Sequence, residues 1–206
     1  MLSPILRSLS LFLLVFSLPS IADDLRELTA QERTVKEDLA LILNKAKLQT
    51  PIKFSRTLNP VNQVSISCEN NEIELKIQAD DNWGQVFYLG IQKLGFLFPH
   101  PRIQISPTEN ELKENCGKTF KWRPALKYYG FHLHTLHPNE WVHGFLLGKS
   151  EIAFDFVRWL ARNQQNIVDL SILQLPEEET FKNLKAPFEL AKNFGIHTGV
   201  VVGFTF

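Results

Sequence analysis

The chain has 206 residues, enough for one large domain or two small ones, and its 44% hydrophobic content with 16 Phe and 4 Trp supplies ample core material. Basic and acidic residues balance at 22 each, so no electrostatic footprint argues for nucleic acid or an anionic membrane surface as partner. Function has to be sought in local motifs.

Residues 1–22 read as an export leader. Arg7 supplies the positive start, residues 11–18 are apolar, and Ser20-Ile21-Ala22 places small residues where a signal peptidase reads. Cleavage there leaves Asp23 first and implies a secreted or periplasmic protein. The apolar run is far short of the roughly 20 residues a span needs, so no stable membrane anchor is expected. Residues 23–50 follow as an N-terminal helix and its exit: Leu28, Val35, Leu39, Ile42, Leu43 and Ala46 fall at helical spacing, and Pro51 ends the pattern.

A small α+β domain is expected over 51–121. Residues 63–69 and 72–79 alternate as two strands, joined by Asn70-Asn71, a hairpin turn that uses the tolerance of Asn for positive φ. A helix runs from the Asp80-Asp81-Asn82-Trp83-Gly84 start to Leu94, where Gly95 stops it. Ile103-Gln104-Ile105 reads as a short strand. The polar stretch 108–118 reads as a linker with room for a short helix at 109–114, and a boundary falls near Lys121.

Over 122–206 the pattern becomes strand, helix, strand, helix, strand. The strands are expected at 127–135, 166–173 and 196–206, and the helices at 150–164 and 177–193, the second interrupted by Pro187. Such alternation predicts parallel strands with right-handed crossovers. In the first strand Gly130, His132 and His134 share one face, while Tyr129, Phe131, Leu133 and Thr135 share the other, greasier one. Polar residues gathered toward the C-terminal end of a buried parallel strand are how a (β/α) barrel places a site.

The run Ala79-Asp-Asp-Asn-Trp-Gly-Gln-Val-Phe-Tyr-Leu-Gly-Ile-Gln-Lys-Leu-Gly-Phe-Leu-Phe-Pro99 resembles the small N-terminal α/β domain of secreted sugar hydrolases, the β-N-acetylhexosaminidases (glycoside hydrolase family 20) and the α-glucuronidases (family 67). Tyr129-Gly130-Phe131-His132 resembles the first strand of the catalytic barrel that follows in those enzymes, and Asn163 to Leu173 resembles the end of the next helix and the second strand. The resemblance covers roughly residues 51–206. It implies an α/β fold in which a small N-terminal α+β domain is followed by an incomplete (β/α) TIM barrel of about three βα units. It also implies the N-terminal part of a glycoside hydrolase-like protein acting on oligosaccharides, with a carbohydrate ligand and no cofactor. Two positions depart from family 20: Tyr129 stands where an Arg grips sugar hydroxyls, and Asp169 stands where the second strand carries His. The family acid and its neighbouring carboxylate belong to the fourth strand, which lies past Phe206, so the chain by itself is expected to be inactive and its catalytic residues are not assigned.

His132, His134, Asp169 and Trp141 are the candidate substrate-binding residues. Asp169 faces inward by the same alternation that turns Val168, Leu170 and Ile172 outward, and Trp141, placed in the loop after the first strand, offers a ring on which a sugar can stack. Three readings fit the histidine pair: sugar contacts, structural hydrogen-bonded imidazoles, or a His-x-His metal site completed by Asp169 or His197 as in metal-dependent hydrolases. A carbohydrate-binding protein without catalysis is a further alternative. Glu140, His137 and His143 sit in the same loop. Cys68 and Cys116 lack metal-ligand spacing; they either bridge or remain two unrelated thiols.

Overall fold

The computed structural model describes residues 29–135, 139–172 and 177–203. The expected leader, the first residues of the expected N-terminal helix, His137 and the end of the expected last strand lie outside the described residues. Helix α1 spans Ala30–Ala46 and starts at a reciprocal capping box: Thr29 Oγ1 accepts from the Glu32 amide, and Glu32 Oε2 accepts from the Thr29 amide.

The first sheet contains β1 (Ile52–Thr57), β2 (Gln63–Glu69), β3 (Glu72–Gln78) and β6 (Thr119–Lys121), in the order β1-β3-β2-β6. β2 and β3 form the expected antiparallel hairpin, with Asn70 and Asn71 both left-handed at φ 52° and 58°. β1 adds parallel to β3, and β6 antiparallel to β2. Alternation puts Val64, Ile66, Ile73, Leu75 and Ile77 on the buried side, where α2 (Trp83–Lys93) covers them with Val86, Phe87 and Ile91. A two-stranded ribbon, β4 (Leu97–His100) with β5 (Ile103–Ile105), follows, and a single 3-10 turn at Glu111–Lys113 occupies the expected linker. Cys68 on β2 and Cys116 are joined by a disulfide, with Cα atoms 5.6 Å apart.

The second part carries β7 (Gly130–His134), α3 (Glu140–Leu146), α4 (Ser150–Arg162), β8 (Ile167–Ile172), α5 (Glu178–Asn193) and β9 (His197–Val202). The three strands are parallel, in the order β7-β8-β9. Pro187 lies inside α5 without ending it. The expectation of an incomplete TIM barrel is overturned here. The described strands divide among three small separate sheets of four, two and three strands, with no closed barrel. A barrel requires a continuous ladder with matched tilt and shear. Here β7 and β9 each pair along one side only, so the parallel sheet is open and the fold is mixed α/β.

Buried apolar residues from α1 to Ile196, just before β9, form one cluster. Its polar seam is the Asp38 carboxylate of α1, only 1% exposed, which accepts from Tyr88 Oη of α2 (2.8 Å) and from Arg162 Nε (3.0 Å) and Nη2 (2.7 Å) of α4. Trp159 and Asn163 donate together to the Phe98 carbonyl at 2.8 and 3.0 Å. Gly130 is where β7 first pairs with β8, and a Cβ there would run into the Ile167 carbonyl oxygen, which belongs to rigid backbone. Gly130→Ala is therefore expected to destabilise by about 1–3 kcal/mol, the usual cost of forced overpacking. Urea denaturation checks it; an unchanged midpoint would show that the two strands can move apart freely.

Candidate functional site

The register of the parallel sheet builds the site. On the face that carries His132, the first row is Gly130, Ile167 and His197; the second is His132, Asp169 and Gly199; the third is His134, Ser171 and Val201. The opposite face carries Phe131, Leu133, Val168, Leu170 and Ile172, and this is the side that the helices cover. Phe131 meets Phe156 and Trp159 of α4 at ring distances of 5.8 and 5.2 Å, and Phe145 of α3 links Phe156 to Phe188 of α5. The greasy face thus packs on helices as its composition dictates. The polar face is the open one: His132 is exposed, His134, Asp169 and Gly199 are half-buried, and Val201 is 55% exposed.

Within this face the polar groups converge toward the carboxyl ends of the strands. His132 Nε2 and Ser171 Oγ lie 3.1 Å apart across the β7–β8 pair, and the rings of His132 and His134 are 6.1 Å apart. The Asp169 carboxylate leans the other way, over β9: a Cβ on Gly199 would collide with its Oδ1. Glycine in that position leaves the carboxylate room to lie across the strand. Asn166 fixes the start of the arrangement. Its buried amide accepts from the Tyr129 N–H at 2.9 Å and donates to the Lys127 carbonyl at 2.7 Å, tying the approach to β7 onto the approach to β8.

The register thus puts His132, His134 and Asp169 on one face, with the carboxylate turned toward β9, and adds Ser171, which the sequence reading passed over. The signal for it was available, since Ser171 sits two residues after Asp169 and so shares its face. Trp141 is not part of this group. Residues 140–146 form a helix in place of the expected loop, because Asn139 Oδ1 caps it by accepting from the Trp141 and Val142 amides at 3.0 Å each. That helix turns Trp141 onto Phe156 (5.6 Å, nearly parallel rings) and His100 (5.5 Å). Phe156 also meets Phe131, so Trp141 lies on the helix side, away from His132. Its role is packing, with the Arg102 guanidinium 5.5 Å above its ring. Glu140 pairs with the same arginine at 3.2 Å, and His143 is exposed on α3. His197 opens β9 at the opposite end of the sheet from His134 and meets Tyr128 edge-on at 5.1 Å.

The metal reading of the histidine pair finds no third ligand: among the described residues no three His, Cys, Asp or Glu side chains gather around a common point. Nor does the face hold a pair of carboxylates. Asp169 is the one acid in the three rows. Among the described residues no helix is long and apolar enough to cross a membrane.

Comparisons with protein-family models, with curated proteins and with solved structures found no match to this chain.

Proposed function

We propose that the chain is the saccharide-binding N-terminal part of an exported glycoside hydrolase-like protein, and that it holds an oligosaccharide on the open face of β7, β8 and β9 without cleaving it. The observation that carries this reading is the polar row itself. Two imidazoles and a carboxylate occupy one open face of parallel strands, with the buried Ser171 hydroxyl bonded to His132, and open α/β sheets bind their ligands at the carboxyl ends of such strands. These groups both donate and accept, which suits the hydroxyls of a sugar. The residues of 79–99, 129–132 and 163–173 that resemble the sugar hydrolases support the same class of ligand.

The face supplies one half of hydrolytic chemistry. Cleaving a glycosidic bond takes a proton donor on one side and a nucleophile, base or substrate acetamide on the other. Asp169 stands alone as an acid on this face, so binding is assigned to it and turnover is not. The leader over 1–22 and the bridge between Cys68 and Cys116 support maturation in an oxidising compartment, with Asp23 first.

The reading is tested by calorimetric titration of the mature chain with N-acetylglucosamine oligomers and glucuronic-acid-substituted xylo-oligosaccharides, alongside a reducing-sugar assay. Binding of one of these without release of reducing ends is expected. Removing a charged or imidazole hydrogen-bond partner should weaken affinity by about tenfold in His132→Ala and in Asp169→Asn. Trp141→Phe should leave affinity unchanged. Absence of binding to both ligand sets, or binding indifferent to His132 and Asp169, would overturn the assignment.

A further inference from the structure

Away from the saccharide face, residues 121–126 of the connector between the two sheets line an open cleft of about 500 Å³ together with Leu89 of α2, Tyr129 and Gln164. We propose that this cleft binds a small amphipathic anion, its apolar body against Leu89, Trp122, Leu126 and Tyr129 and its charged head toward Lys121 and Arg123. The volume falls within the range of small-ligand sites, which are mostly apolar with a few placed polar groups.

Three features of the cleft select this chemistry. The lining contains two cations and no carboxylate, and neither cation is ion-paired with a described residue. The walls are apolar, and Leu126 is 65% exposed at the rim, an orientation that water does not favour and a hydrophobic ligand would. The back wall is already fixed. The Trp122 amide donates to the Asn62 carbonyl at 2.8 Å, and the Tyr129 amide donates to Asn166 Oδ1 at 2.9 Å. Both aromatic residues are held before any ligand arrives, which lowers the ordering cost of binding. None of the lining residues lies in the rows of the saccharide face, so the two sites bind through different side chains.

Titration of the mature chain with decanoate, decyltrimethylammonium and butyrate, each below its micelle threshold, tests the proposal. Decanoate is expected to bind one to one, with the cation of equal tail length at least about tenfold weaker and butyrate giving no heat. Lys121→Glu with Arg123→Glu should weaken decanoate at least about tenfold and improve the cation, because the head-group preference follows the rim charge. Leu126→Asp should weaken decanoate while leaving the near-ultraviolet circular dichroism unchanged, and His132→Ala should have no effect on it. No binding of decanoate, equal binding of anion and cation, or indifference to charge reversal would each overturn the proposal. Loss of the saccharide reading would leave it standing.

Discussion

Asp38→Ala is expected to lower the stability of the chain by about 3–5 kcal/mol, the range for removing one partner of a buried ion pair. The Asp38 carboxylate is enclosed between three helices and accepts from Tyr88 and bidentately from Arg162, with Arg158 Nε 3.7 Å away. Its removal leaves the Arg162 guanidinium, whose side chain is 12% exposed, without its counterion and leaves the Tyr88 hydroxyl without an acceptor. The loss should appear as a lower urea midpoint with an unchanged slope. A double-mutant cycle separates the pair from its surroundings: Asp38→Leu with Arg162→Met should be less destabilised than either single change, because no unpaired charge remains. A wild-type midpoint in Asp38→Ala would mean that water reaches this seam and that α1 docks through apolar contacts alone.

The same cluster sets an alkaline limit. Burial, reinforced by the neighbouring Asp38 charge, pushes the Tyr88 hydroxyl well above its ordinary ionisation range. In the unfolded chain a tyrosine loses its proton near pH ~10. Above that pH the unfolded state has released a proton that folded Tyr88 still holds, so stability is full below this point and falls as pH rises beyond it. Tyr88→Phe should flatten the decline in a series of denaturation curves across the alkaline range. It also removes a donor to Asp38 and should lower the plateau slightly.

What could be read from the chain and what could not divides along sequence distance. The β2–β3 hairpin and α2 were legible because period and turn chemistry sit within a few residues: Asn70-Asn71 at one end, Gly95 at the other. The split of the β7 residues between a greasy and a polar face was legible for the same reason, and so were His132, His134 and Asp169 as neighbours once parallel strands were inferred. Thr29-Ala-Gln-Glu32 is a capping box written in the sequence, and it places the start of α1 later than apolar spacing alone suggested. Asn139 likewise announced α3, and missing it turned Trp141 from a packing residue into a sugar platform. Asp38 was beyond reach. A charge on the polar side of a helix looks solvated, and the arginine that buries it lies 124 residues further along. The barrel expectation failed for a related reason. Alternating strands and helices fix a local crossover, whereas closure depends on a ladder of partners that no local pattern specifies.

Replacing both Cys68 and Cys116 with Ala is expected to lower stability by roughly 4 kcal/mol, the chain-entropy value for a closed loop of 48 residues. That loop contains the β3 strand, α2 and the β4–β5 ribbon, so in the unfolded chain the bridge restrains most of the first sheet's covering layer. In the folded chain the contacts around it persist without it. Gly117 N–H donates to the Ile66 carbonyl at 2.8 Å, Ile66 N–H donates to the Lys118 carbonyl at 2.9 Å, and Val64 pairs with Phe120. The variant should therefore keep native near-ultraviolet circular dichroism in dilute buffer while its urea midpoint falls. Its denaturant slope should rise, because an uncrosslinked unfolded chain exposes more surface. Reducing the wild type should reproduce both changes, and the reductant should do nothing to the variant. A fall in midpoint with no change in slope would place the stabilisation in native contacts around Cys68, and would remove the argument that the bridge acts by restricting the unfolded chain.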